Sequence, residues 1–150
     1  MPLVANILYG PSVVSSDSAL AWHGLIPEGV FGVTSVTPRR ARSYSTPLGE
    51  FSYQHIPASV YPVGIRIESG EGNHRFLMAS PVKALCDKIL LTRRVRLTSF
   101  SAMRQFLEED LRLDMDELQG LDLSTVRMYQ KGGLKVAALT QLQRVLEALE

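Results

Sequence analysis

The chain has 150 residues, 45% of them hydrophobic and 21% charged, which suits one globular domain with a real core. Its single cysteine, Cys86, excludes an internal disulfide, and its formal net charge of +1 says nothing for or against a nucleic-acid partner. No run approaches the roughly 18 apolar residues of a membrane span, and no basic-then-apolar leader opens the chain, so the expected compartment is the cytoplasm.

Leu3 to Tyr9 is short and apolar and is stopped by Gly10-Pro11, as the tail of a helix or a connector would be. Ser15 or Ser16 is placed to cap a two-turn helix, Asp17 adds charge that suits its N-terminus, and Gly24 stops it. The β-branched run Val30 to Thr37 predicts a strand that Pro38 ends. Ser43 to Ile56 predicts a hairpin, with Thr46-Pro47-Leu48-Gly49 as a type I turn. Within it Phe51, Tyr53 and His55 alternate with Ser52 and Gln54, which puts the three rings on one face. Gly64 to Glu68 and Arg75 to Ala79 predict two more strands around a Gly-rich turn.

Ser80-Pro81 predicts a helix start, with serine as cap and proline at the first helical position. Val82, Leu85, Cys86, Ile89 and Leu90 then form an apolar stripe at i, i+3, i+4, i+7 and i+8, with Lys83 and Lys88 off it. Helices are predicted over Ser99–Leu111, Met115–Leu118, Ser124–Gln130 and Leu134–Leu149. In the last of these Leu139, Leu142, Leu146 and Leu149 span too few heptads for a coiled coil and read as core-facing. The expected fold is α+β in one domain, residues 1–150, with a mixed or antiparallel sheet and hairpin in 1–96 and a helical part in 97–150.

The residue types for catalysis are present without their spacing. No His, Cys, Asp and Glu fall at metal-ligand intervals, no Gly-x-Ser-x-Gly elbow occurs, and neither glycine run precedes a Lys-Ser/Thr pair. Cys86 lies on the apolar stripe and reads as an inert buried thiol, and His55 reads as packed beside its aromatic neighbours. The expectation is therefore a protein that is not an enzyme and needs no cofactor or metal.

Charge distribution is more informative than net charge. Residues 1–96 carry 10 Lys/Arg against 6 Asp/Glu, and residues 97–150 carry 6 against 9. Two clusters stand out, Arg39, Arg40 and Arg42 between strand and hairpin, and Arg93, Arg94 and Arg96 after the central helix. Solvated surface is one reading of both, with Arg93 and Arg94 also capping the helix C-terminus. The other is contact with nucleic acid or an acidic protein, because arginine forks on loops suit phosphate and carboxylate.

The ordered segments Tyr9–Ser15, Ala21–Glu28, Val33–Thr37, Arg39–Arg42, Thr46–Ile56 and Pro81–Asp87 together resemble the antitoxin family of the bacterial AbiE abortive-infection system, a type IV toxin–antitoxin system. The shared pattern includes Gly-Leu-Ile-Pro-Glu at 24–28, Val-Thr-Ser-Val-Thr at 33–37, Thr-Pro-Leu-Gly-x-Phe-x-Tyr-x-His-Ile at 46–56, and Pro-x-Lys-Ala-Leu-x-Asp at 81–87. It covers residues 3 to about 91, and the helical tail matches only in being helical. Val14 and Val82 depart from the pattern as changes of packing.

The resemblance implies an antitoxin that neutralises a nucleotidyltransferase-like toxin in phage defence, in a family whose members commonly repress their own operon. It also implies an N-terminal winged helix for DNA, for which the eight residues before Tyr9 are too few. Operator binding would then need a DNA-reading part outside these residues. The alternative reading is a fragment of a transcriptional regulator, with this part mediating dimerisation or cooperativity.

Overall fold

Alternation and β-branching build six strands: β1 (Val13–Val14), β2 (Val33–Thr37), β3 (Arg42–Thr46), β4 (Gly49–His55), β5 (Ile65–Ser69) and β6 (Arg75–Ala79). In the computed structural model, which describes residues 1–27 and 31–150, they form one mixed sheet in the order β3-β4-β2-β1-β6-β5. Both predicted hairpins form, β3 with β4 and β5 with β6. β2 lies parallel to β4 from Val33↔Phe51 to Thr37↔His55. Val30, the expected first residue of β2, and Glu28 of the Gly-Leu-Ile-Pro-Glu segment fall outside the described residues.

The two-residue strand β1 has no periodic signal in the sequence, yet it joins the halves of the sheet, antiparallel to β2 and parallel to β6. Its shortness leaves backbone groups of its neighbours to be satisfied by other means, since buried peptide groups are costly unpaired. Two flanking helices, α1 (Pro2–Leu8) and α2 (Ser16–Trp22), supply the partners. Asn6 donates to the Leu77 carbonyl at 3.2 Å and accepts from the Leu77 N–H at 2.6 Å. The Thr34 N–H donates to Ser18 Oγ at 2.8 Å, and His23 Nε2 lies 2.8 Å from the Ala79 carbonyl. Amide, hydroxyl and imidazole thus replace strand residues.

The central helix α3 (Pro81–Leu91) starts as expected, with Pro81 in its first turn and Ser80 Oγ accepting from the Lys83 N–H at 3.1 Å. Its predicted stripe is buried, Leu90 only in part. Lys83 and Asp87 are fully buried as well, which corrects the reading of Lys83 as lying off the apolar face. α3 packs against α2 and also against α5 (Leu123–Lys131), so little of its circumference faces water.

In the tail, Ser99 caps α4 (Phe100–Gln105), and the predicted helix to Leu111 widens into a π turn over Phe106–Asp110. Met115–Leu118 is a 3₁₀ turn. On α6 (Val136–Ala148) the residues Ala138, Leu139, Leu142, Val145 and Leu146 are buried against α4 and α5. The leucine run therefore faces the core. Among the described residues no helix is long and apolar enough to cross a membrane.

Candidate functional site

The first arginine cluster sits where β2 ends and β3 begins, held by Tyr9 from the end of α1 and by Tyr44 and Tyr53 of the β3–β4 hairpin. The Arg39 guanidinium lies over the Tyr9 ring, 4.6 Å from its centroid, while its Nη1 donates to the Gly10 carbonyl at 2.8 Å. Arg42 lies 5.5 Å from the Tyr9 centroid and 5.8 Å from that of Tyr44, and donates to the Tyr44 hydroxyl at 3.2 Å. Tyr9 in turn donates to the Arg40 carbonyl at 3.0 Å. Beneath them Tyr53 packs edge-on to Tyr9, with centroids 5.2 Å apart, and donates to the Ala5 carbonyl. Burial, with Tyr44 a smaller contributor, pushes the Tyr53 phenol up to about 12, so it stays a neutral donor.

This arrangement removes much of the conformational freedom of Arg39 and Arg42 while leaving their charge unneutralised. Among the described residues no carboxylate lies within ion-pair distance of Arg39, Arg40 or Arg42. Such a ridge binds phosphate or carboxylate by charge-assisted hydrogen bonds without first breaking an internal salt bridge. His55 joins its rim. Phe51 and Tyr53 are buried, but His55 is exposed, which corrects its expected packing beside them, and its Nδ1 lies 3.0 Å from the Arg39 carbonyl.

The second cluster is built differently. Arg93, Arg94 and Arg96 are exposed in the loop after α3, with Arg94 in the left-handed region at φ 65°. They do not cap the helix as expected. Lys135, at the start of α6, donates to the Ile89 carbonyl at 3.0 Å and to the Thr92 carbonyl. The turn at Arg94 carries the arginines past the helix end, and a residue 43 positions away takes over. Burial, and then the nearby Arg93 charge, lower the Lys135 ammonium below its ordinary range. Among the described residues no ion pair joins the two clusters to each other.

A polar group that sequence reading missed lies in the core. Lys83, Asp87, Ser15 and Tyr129 are all essentially excluded from solvent. Lys83 Nζ lies 3.5 Å from Asp87 Oδ2, donates to the Tyr129 hydroxyl at 2.8 Å, and approaches the Val60 carbonyl at 3.5 Å. Ser15 donates to Asp87 Oδ2 at 2.6 Å, and Tyr129 donates to Asp87 Oδ1. Ser15 is therefore at the cap position of α2 but spends its hydroxyl on the carboxylate, which corrects the expected capping role. Burial raises the Asp87 carboxyl above its ordinary value and lowers the Lys83 ammonium, and their attraction opposes both shifts. Lys83 and Asp87 belong to the 81–87 motif, one helical turn apart, and that spacing was the available signal. Tyr129 and Ser15 had none.

Closed to solvent, this group joins four segments of the core. Cys86 beside it is buried, and burial pushes its thiol above the ordinary range, away from nucleophilic use. Among the described residues no three His, Cys, Asp or Glu side chains group as metal ligands. No protein-family model matches this chain, and no curated protein matches it in sequence.

Proposed function

We propose that this chain is a non-catalytic antitoxin domain that neutralises a nucleotidyltransferase-like toxin in the bacterial cytoplasm, using the Arg39–Arg40–Arg42 ridge as its contact surface. The observation that carries the reading is the pre-ordered, unneutralised ridge over Tyr9 and Tyr44. Support for the antitoxin identity comes from the ordered AbiE-like motifs between Tyr9 and Asp87. Arg93, Arg94 and Arg96 form a second, looser contact surface, free of the capping duty that Lys135 performs. The acidic group presented to the ridge belongs to the toxin or to a nucleic acid bound by it.

The test is growth of cells expressing the neighbouring toxin with this chain or with its Arg39→Glu, Arg40→Glu, Arg42→Glu variant. The wild-type chain restores growth, and the variant loses rescue while keeping a near-native thermal melt. Full rescue by a folded triple variant would remove the ridge from the mechanism. Failure of the wild-type chain to rescue, with both proteins soluble, would remove the antitoxin reading itself.

A further inference from the structure

The sheet ends on one side at β5, Ile65-Arg66-Ile67-Glu68-Ser69, and the direction of its free backbone groups is determined by its neighbour. Leu77 turns its N–H and its carbonyl to Asn6, on the far side of β6. The pair Ile67↔Leu77 therefore carries no ladder bonds, while hydrogen bonds at Ser80 to Gly64 and Gly70 to His74 mark the bonded pairs at each end. Antiparallel alternation then points the N–H and C=O groups of Ile65, Ile67 and Ser69 outward. Among the described residues none of these groups has a hydrogen-bond partner, and Ile67 is 70% exposed. Arg66 and Glu68 lie on the opposite face from Ile67, and neither has an ion-pair partner among the described residues.

From this edge we infer that the chain forms a two-fold symmetric dimer by antiparallel pairing of β5 with β5 of a second copy, centred on Ile67. The sequence of the strand is self-complementary in that register and in no neighbouring one. With Ile67 opposite Ile67 of the copy, Arg66 stands opposite Glu68 of the copy and Glu68 opposite its Arg66. These two are non-bonded pairs, where side chains approach most closely. The outward groups of Ile65, Ile67 and Ser69 then face one another and close their hydrogen bonds.

Slipping by one residue sets outward groups against inward ones and loses the bonds. Slipping by two restores the bonds but sets Arg66 against Arg66, or Glu68 against Glu68. The charges thus disfavour both slipped registers that the backbone permits, which is how register is specified on a short edge strand. The inference is independent of the antitoxin reading.

Sedimentation velocity of the full chain from about 1 to about 100 μM tests it, a range that brackets a micromolar dissociation constant. A monomer–dimer equilibrium that weakens with salt is expected. Arg66→Glu or Glu68→Arg alone sets like charges together twice by symmetry and should raise the dissociation constant at least about tenfold. The double exchange R66E/E68R should restore it. Ile67→Pro removes only an outward N–H, which an edge strand tolerates, and should give a folded monomer. A wild-type chain that stays monomeric throughout overturns the proposal. So does a dimer unaffected by the single charge changes, or one that the double exchange fails to restore.

Discussion

Tyr129 on α5 donates its phenolic hydrogen to Asp87 on α3, across 42 residues of sequence, where both side chains are closed to solvent. This bond ties the helical tail to the front of the protein. Asp87 is tied to α2 through Ser15, and Lys83 reaches the turn at Val60, so four segments meet at the buried Lys83–Asp87 pair.

Removing one member of the buried pair should cost far more than removing both. Asp87→Ala leaves Lys83 without its counter-charge and is expected to destabilise by about 3–5 kcal/mol. The double variant K83M/D87L should lie closer to wild type than Asp87→Ala does. Tyr129→Phe, which removes one donor, should cost about 1–3 kcal/mol. Urea unfolding of the three variants checks the order, and a double variant less stable than Asp87→Ala would show that the pair contributes net stability.

Gly64 should not tolerate alanine. Its φ of +78° lies in the left-handed region, and an added Cβ would fall 2.8 Å from Lys83 Cβ. The strain of that backbone together with displacement of the buried lysine is expected to cost about 1–3 kcal/mol. The measurement is the denaturation midpoint of Gly64→Ala, with Gly49→Ala as a comparison, since Gly49 also has positive φ but has nothing close to its Cβ position.

Stability should fall at alkaline pH. Tyr53 is raised from the ordinary phenol value of 10.0 to about 12 in the folded chain. The folded state therefore holds this proton more tightly than the unfolded one. The resulting stabilisation is complete below pH 10 and disappears as pH rises through about 12. Tyr61 and Tyr129 are raised by burial as well and act in the same direction. Thermal melts of wild type and Tyr53→Phe across this range should converge, because only the wild type has this phenol to ionise.

Lys135, and not the arginines that follow α3, should hold the end of that helix. Lys135→Ala removes the donor to the Ile89 and Thr92 carbonyls and is expected to cost about 1 kcal/mol. Amide exchange should quicken in the last turn of α3. The variant R93A/R94A should leave that exchange nearly unchanged, and the opposite result would return the capping role to the arginines.

Where the determining contacts are local, the sequence was readable. The serine–proline start of α3, its apolar stripe and both hairpins depend on residues within one or two turns of each other, and they form where expected. β1 was not readable, because two valines make no period; its strand identity comes from β2 and β6 on either side. The ridge was half readable. Arg39, Arg40 and Arg42 announced themselves by charge, but their platform, Tyr9 with Tyr44 and Tyr53, is assembled only when α1 crosses the sheet.

The amino-acid sequence by itself determined the α+β class, the burial of Cys86 and the positions of the charged clusters, because propensity, periodicity and capping act along the chain. Tertiary structure alone decided that Lys83 and Asp87 lie in the core, that Ser15 serves a carboxylate instead of a helix end, and that Ile67 aims its peptide groups outward. Each of these depends on which distant group arrives to satisfy a buried donor, acceptor or charge, and no local spacing encodes that arrival.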